Sequence, residues 1–163
     1  MKHFATTLIF SFVTCLAMAN DIKGKVVDVI DGNTLQVMGT DGKTYNILLA
    51  GIDCPELNQA FGEEAKLCLS KLTLGKKVEI KILGNDRLGN AVAELLVNGK
   101  KDPRIQLLNE GLAWTSEKTP KQELESMRVA AQSKKKGLWK QESPTPPWVY
   151  RREHSMTEGK TSI

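Results

Sequence analysis

The feature that most constrains the fold is a series of five short strand-like segments, interrupted once by a helix-like segment. Residues 22–30 alternate apolar and polar side chains as a half-buried strand does, and residues 34–38 resume the pattern after a turn signal at 31–33. Asp and Gly at 41–42 predict a hairpin turn before a further strand at 44–49. These segments predict an antiparallel meander of three strands.

Helical periodicity follows the third strand-like segment. Over residues 61–74 apolar side chains recur at helical spacing, and they predict one buried face formed by Ala65, Leu69 and Leu72. Residues 78–83 and 91–97 are again strand-like. The helix is therefore inserted between the third and fourth strands.

Two more helices are predicted at 102–110 and 120–136. Five strands with a helix after the third, and helices at the end, are typical of a small closed barrel of the OB type. The predicted fold class is α+β and mainly β: a five-stranded OB-fold barrel with about three helices, in one domain over residues 20–142. OB barrels commonly bind oligonucleotides, but a fold alone does not establish a function.

The N-terminal segment has the form of a secretory signal peptide. Residues 1–3 are short and basic, and residues 4–19 are apolar or small and end in the small-x-small cleavage signature Ala-Met-Ala. The segment is too short for a membrane span, and no second apolar run approaches that length. We expect removal of residues 1–19 and export to a periplasm or out of the cell, the alternative being a buried N-terminal helix.

The side chains that remain after this cleavage limit the chemistry. The net charge falls from +4 to +3, because Lys2 is the only charged side chain removed, and so small a charge does not by itself indicate a nucleic-acid-binding protein. His154 is the one remaining histidine, which excludes a zinc site of histidines and cysteines. Cys54 and Cys68 leave two alternatives open: a disulfide, or two buried free thiols.

The composition changes near the C-terminal end. From Ser143 the chain is rich in proline and polar residues, so we expect a partly disordered tail over residues 143–163. The tail also contains aromatic and basic residues, namely Trp148, Tyr150, Arg151 and Arg152. These side chains either stack on and pair with a nucleic-acid strand, or the Pro-Trp pair at 147–148 docks on the barrel.

Six short motifs follow one another at 29–34, 49–56, 61–65 (a helix start), 86–90, 109–114 and 136–139. Together they resemble the staphylococcal nuclease (thermonuclease) family, in which the first, second and fourth motifs are D-G-D-T, R-L-x-G-I-D-x-P-E and D-R-Y-G-R. The resemblance covers residues 22–150 and implies an OB-type barrel that hydrolyses the phosphodiester bonds of DNA or RNA with Ca²⁺.

The resemblance also implies roles for individual side chains. Ca²⁺ prefers clustered oxygen ligands, and the matching positions make Asp53 and Asn33 the metal ligands, with Asp31 in the same turn as a third candidate. Glu56 matches the glutamate that orients or deprotonates the attacking water. In the family, two arginines clamp the phosphate.

Three of these positions depart from the family pattern. Asn33 stands in place of a metal-binding aspartate, and Leu48 and Asn90 stand in place of the two phosphate-clamp arginines. An arginine at a phosphoryl transition state is worth about 10³–10⁵ in rate, so the loss of both should cost on the order of 10⁴ or more. Arg87 or Lys43 remains as a relocated cation.

Three functions are therefore open. The first is an exported member of the family with impaired or absent phosphodiesterase activity, which keeps a role in binding nucleic acid or a protein. The second is an active Ca²⁺-dependent endonuclease that uses Asp53, Glu56 and a relocated cation. The third is an interaction scaffold without affinity for nucleic acid. In each we expect a monomer with no membrane span after cleavage.

Overall fold

The structure is a computed structural model, and it describes residues 21–158. The strands are β1 (Asp21–Val29), β2 (Thr34–Gly39), β3 (Thr44–Leu49), β4 (Ile52–Asp53), β5 (Lys77–Asn85), β6 (Ala91–Val97) and β7 (Trp114–Thr115). The helices are α1 (Gly62–Thr73), α2 (Pro103–Asn109), α3 (Gln122–Ser133) and α4 (Pro147–Glu158), with a 3-10 turn at Gly137–Lys140. The predicted signal peptide at 1–19 and the end of the predicted tail at 159–163 lie outside the described residues.

Five strands close into a barrel in the order β1-β2-β3-β6-β5, which confirms the predicted fold. All neighbours are antiparallel except β3 and β6, which run parallel. Strands β4 and β7 form a separate two-stranded sheet that the sequence did not predict. This small sheet holds the loop that follows β3 against the segment that follows α2.

The barrel is filled by the inward side chains of its alternating strands. The fully buried ones include Val26, Leu35, Val37, Ile47, Leu49, Ile80, Ala93 and Leu95. Burying a branched aliphatic side chain contributes roughly 1.5–3 kcal/mol. The register shifts by a bulge in β1 and another in β5, and such bulges increase strand bending and so help a short sheet to close.

Helices α1 and α2 pack against the barrel, and α3 packs on α2. Helix α1 buries Ala65 and Leu69 as predicted, while Leu72 is only half-buried. Helix α2 begins at a proline, and the carboxylate of Asp102 caps it by accepting from the Arg104 amide. A second apolar cluster, formed by Ala131, Leu138 and Trp139 with Phe61 and Trp114, fixes α3 and the 3-10 turn.

The structure departs from the sequence prediction most clearly in the tail. Pro147–Glu158 forms helix α4, an element that the sequence analysis did not predict, while partial disorder within 143–163 stays a prediction. The Trp148 ring meets the Trp114 ring edge-on at 5.6 Å between centroids, which is the docking alternative. The hydroxyl of Tyr150 also donates to the carbonyl of Asn58, at 3.2 Å. The polar composition misled because a short helix is stabilised mainly by tertiary packing.

Two further expectations concern the cysteines and the membrane. Cys54 and Cys68 are both free thiols, so the disulfide alternative is not observed, and Cys68 is half-buried rather than buried. Among residues 21–158, no helix has the length and apolar character needed to cross a membrane.

Candidate active site

A groove at one end of the barrel collects most of the predicted site residues. It is formed by the β1–β2 turn, the end of β3, the loop around β4, and helix α4, and its volume is ≈ 300 Å³. We call it the acidic groove, and the side chains that matter here are Asp31, Asn33, Leu48, Asp53, Glu56, Val92 and Arg151. The structure therefore brings the predicted carboxylates and Asn33 together, while their roles stay predictions.

The β1–β2 turn contributes one tied and one unpaired oxygen. Asp31 Oδ1 accepts from the amides of Asn33 and Thr34, both at 2.7 Å, as a turn-forming aspartate does. Asn33 Oδ1 is buried and has no hydrogen-bond partner among the described residues. A buried polar atom without a partner costs about 1–3 kcal/mol, so this oxygen favours a ligand that brings a donor or a cation.

The loop that carries Asp53 is locked to the same turn. The buried thiol of Cys54 donates to the Gly32 carbonyl at 3.1 Å, and burial raises the pKa of this thiol well above its usual value. A Cβ on Gly32 would lie 2.8 Å from the Cys54 Cβ, so only glycine fits this contact. The turn and the loop therefore hold a fixed relative position.

A buried arginine supports the loop from the other side. Arg104 is only 6% exposed, and its Nη1 donates to the Ala50 carbonyl at 2.7 Å, just before the loop. Its Nε and Nη2 donate to the Asp102 carboxylate, at 3.0 and 2.6 Å. The sequence analysis missed this arginine, because its partner at Ala50 is 54 positions away.

Arg151 of helix α4 is the cation of the acidic groove. Its Nη1 and Nη2 donate to the two oxygens of Asp53, at 3.0 and 2.7 Å, and Nη1 also donates to Glu56 Oε1 at 2.7 Å. Hydrogen bonds to Asp53, and then to Glu56, raise the pKa of the guanidinium further above its usual range. The sequence analysis placed Arg151 only in a tail of uncertain role.

A signal for this placement was present in the sequence. The α4 side chains that face the barrel follow the helical spacing i, i+3, i+4, i+7, namely Trp148, Arg151, Arg152 and Ser155. The proline at the first helical position is a further mark of a helix start. A helix that docks through Trp148 must therefore also bring Arg151 to the barrel.

These α4 residues line a second groove, which continues from the first. We call it the basic groove, and it is lined by Leu48, Asp86, Arg87, Leu88, Glu117, Lys118, Trp148, Arg151, Arg152 and Ser155. Leu48 and Arg151 belong to both grooves. Arg87, predicted as a relocated cation, lies here rather than among the carboxylates, and Lys43 lies in the β2–β3 hairpin and lines neither groove as described.

The two replaced clamp positions provide no cationic donor for a phosphate. Leu48 lies on β3 opposite Val92 of β6, at the boundary of the two grooves. The side-chain amide of Asn90 donates to Asp86 Oδ2 at 2.8 Å and so closes the β5–β6 loop on itself. This hydrogen bond is the main cause of the lowered pKa of Asp86.

The donor set does not fit a resident Ca²⁺ ion in this arrangement. Within the described part of the chain, no group of three or more histidine, cysteine or carboxylate side chains could hold a metal. Both oxygens of Asp53 accept from Arg151, and Asp31 Oδ1 is tied to the backbone. The unpaired oxygen of Asn33 is neutral, whereas Ca²⁺ sites draw several carboxylates together.

A closed barrel of five strands with carboxylates at the mouth defines a protein of the OB class with a candidate hydrolytic or binding site. The sequence model of the family described as "Staphylococcal nuclease homologue" matches residues 46–141. This chain belongs to the staphylococcal nuclease family.

Individual relatives agree with this assignment. A protein of Escherichia coli O157:H7 described as an "uncharacterized endonuclease" is 30% identical over 152 residues, which cover 93% of this chain and 98% of the relative. A Haemophilus influenzae protein of the same description is 29% identical over 157 residues, covering 95% and 88%. A "staphylococcal-like nuclease" of Arabidopsis thaliana is 35% identical over 111 residues, covering 68% of this chain and 34% of the relative.

Proposed function

We propose that this protein binds nucleic acid and hydrolyses phosphodiester bonds far more slowly than a family site with both clamp arginines. One observation carries the proposal: Arg151 is the guanidinium that contacts Asp53 and Glu56, whereas the two family clamp positions are Leu48 and Asn90. Asp53 and Glu56 of the family pattern are thus present but paired with a cation, and the charged donors for the transition state are reduced.

The contacts of Glu56 explain why the rate should be low. A general base works best as a free carboxylate whose pKa lies near the working pH, and Glu56 Oε1 accepts from Arg151 at 2.7 Å. The guanidinium therefore occupies an oxygen of Glu56 that would otherwise be available to the attacking water. With both clamp arginines absent, the loss in rate should be on the order of 10⁴ or more.

The basic groove supports the binding half of the proposal. Arg87 and Lys118 line it and make no ion pair within residues 21–158. Leu88 is 88% exposed beside them, and the half-buried Trp148 offers part of a ring. Unpaired cations next to apolar side chains suit a phosphate backbone with its bases.

A cleavage assay tests this function. Purified protein is incubated with single-stranded DNA, double-stranded DNA and RNA, with Ca²⁺ or with a chelator, beside its Glu56→Gln variant. We expect salt-sensitive binding and slow cleavage that Glu56→Gln reduces further. Binding to none of the three, at low salt, would contradict the proposal and leave the scaffold function.

An active Ca²⁺-dependent endonuclease is the second candidate. The observation in its favour is that a relative described as an endonuclease aligns over 98% of its own length. Its mark in the same assay is rapid cleavage that needs Ca²⁺ and disappears in Glu56→Gln. That outcome would overturn the proposal of a slow enzyme.

We also propose that the protein is exported and loses residues 1–19, as their signal-peptide pattern indicates. The expected result is a mature chain that begins at Asn20 and is found in the periplasm or the medium. N-terminal sequencing of the fractionated protein measures this, and an intact N-terminus in the cytoplasm would contradict it.

A further inference from the structure

Helix α4 is an integral part of the candidate site, although it lies beyond the residues that the family sequence model matches. The family match ends at residue 141, and α4 begins at Pro147. Three contacts dock the helix and its approach: the Trp148–Trp114 ring pair, the Tyr150 hydroxyl on the Asn58 carbonyl, and the side-chain amide of Gln59 on the Thr145 carbonyl at 2.6 Å. The position of Arg151 is thus set by the fold.

We propose that Arg151 is the phosphate-binding residue of this protein and replaces the arginines that positions 48 and 90 lack. The inference rests on the proposed function, because it names the residue through which the same site holds a phosphodiester. Asp53 and Glu56 act in it as positioning residues that orient the guanidinium.

The free hydrogen bonds of the guanidinium carry this inference. A guanidinium has five N–H donors in a fixed plane. Asp53 takes one from each of Nη1 and Nη2, and Glu56 takes the second from Nη1. The Nε–H and the second Nη2–H make no hydrogen bond to the described residues, and they lie on one edge of the plane. That edge matches two oxygens of a phosphate.

The surroundings of this edge suit a strand of nucleic acid. The Arg151 side chain is 49% exposed and lines both grooves, so a phosphate can reach it from the basic groove. Arg87 and Lys118 line the basic groove beside it without ion pairs in the described part of the chain. The two carboxylates already hold the guanidinium in one orientation. The binding of a phosphate therefore costs little further loss of side-chain mobility.

The test measures the affinity for a fluorescently labelled oligothymidylate by anisotropy, in a chelator that removes divalent cations, over a series of salt concentrations. Wild-type protein is compared with Arg151→Gln, Arg151→Lys and two controls. Lys100→Gln removes an equal charge at the far end of the barrel, in the turn after β6. Tyr150→Phe removes one contact that anchors α4 and leaves the guanidinium in place.

We expect Arg151→Gln to weaken binding by about tenfold or more, as the loss of hydrogen bonds to a charged group does. The slope of the logarithm of the binding constant against the logarithm of the salt concentration should become shallower by about 0.7, because one phosphate contact is lost. Arg151→Lys should keep the slope, because it keeps the charge, and lose affinity, because an ammonium lacks the fork geometry. Both controls should bind within about twofold of wild type.

Two results would overturn the assignment of Arg151 as the phosphate-binding residue and leave the proposed function standing. The first is an Arg151→Gln variant that binds as tightly as wild type, or tighter. In that case Arg151 only blocks access to the carboxylates. An equal loss in Tyr150→Phe would mean that Arg151 only anchors the helix. A wild-type protein that binds no oligonucleotide at low salt would overturn the proposed function as well, so the two failures are distinguishable.

Discussion

At the residue scale, a divalent cation would have to compete with Arg151 for the same carboxylates. Asp53 is the predicted metal ligand that keeps its charge, and both of its oxygens accept from the guanidinium. A metal ion would have to displace these hydrogen bonds or share the carboxylate with a positive neighbour, which opposes it electrostatically. The side chain that compensates for missing arginines therefore also weakens the metal site.

This competition predicts the effect of Arg151→Gln on Ca²⁺. Removing the cation should raise the affinity for Ca²⁺ by about tenfold or more, because Asp53 and Glu56 regain unpaired charge. Isothermal titration calorimetry measures this. Arg152→Gln is the matched control, since its partner is Glu117, at 3.7 Å. Equal affinities in wild type and Arg151→Gln would contradict the competition.

The replaced positions predict a gain of function. The triple variant Asn33→Asp, Leu48→Arg and Asn90→Arg should raise Ca²⁺-dependent cleavage by at least about 10². Leu48 borders both grooves, so a longer side chain there has room to reach a phosphate. The rate of DNA cleavage measures the gain, and adding Glu56→Gln should remove it. A folded triple variant that stays inactive would show that these positions are mapped wrongly.

At the element scale, the β1–β2 turn and the β4 loop behave as one unit because the Cys54 thiol joins them. Burial raises the pKa of the Cys54 thiol in the folded protein. The folded protein therefore retains the thiol proton at a pH where the unfolded chain, with a thiol pKa of about 8.5, releases it. Folding stability is then present in full below that pH and is lost as the pH rises.

We therefore expect the free energy of unfolding to fall above about pH 8.5, by up to about 1.4 kcal/mol per pH unit from this thiol. Urea unfolding between pH 7 and 10 measures the slope. Cys54→Ala should be less stable at neutral pH and should show a shallower slope, and an unchanged slope would exclude the thiol as its source. Cys68, whose pKa burial also raises, stays in both proteins.

The Trp148–Trp114 ring pair is one of the contacts that dock helix α4. Trp148→Ala removes the ring that meets Trp114, and we expect a loss of about 1–3 kcal/mol in the docking of α4. Trypsin should then cleave after Arg151 and Arg152 faster by about tenfold or more, which mass spectrometry follows. Leu83→Ala, at an exposed position of β5, is the control. Unchanged cleavage would mean that other contacts hold the helix.

At the scale of the whole molecule, local patterns account for the barrel and long-range contacts for the rest. The alternation of apolar and polar side chains, together with turn residues, predicted the five barrel strands. It did so because every second side chain of such a strand points into the barrel. The sheet β4–β7 escaped prediction, since strands of two residues show no period. The ion pair of Arg151 with Asp53 joins residues 98 positions apart, so only the folded chain brings them together.

The seam between β3 and β6 also determines when the site comes into existence. Leu48 and Val92 face each other there, and both line the acidic groove. This parallel pair closes a barrel whose other neighbours are antiparallel, and such non-local pairings form on the slow scale of milliseconds to seconds. A chain with formed hairpins and an open seam has no groove. The rate at which ligand binding returns during refolding therefore reports the rate at which the barrel closes.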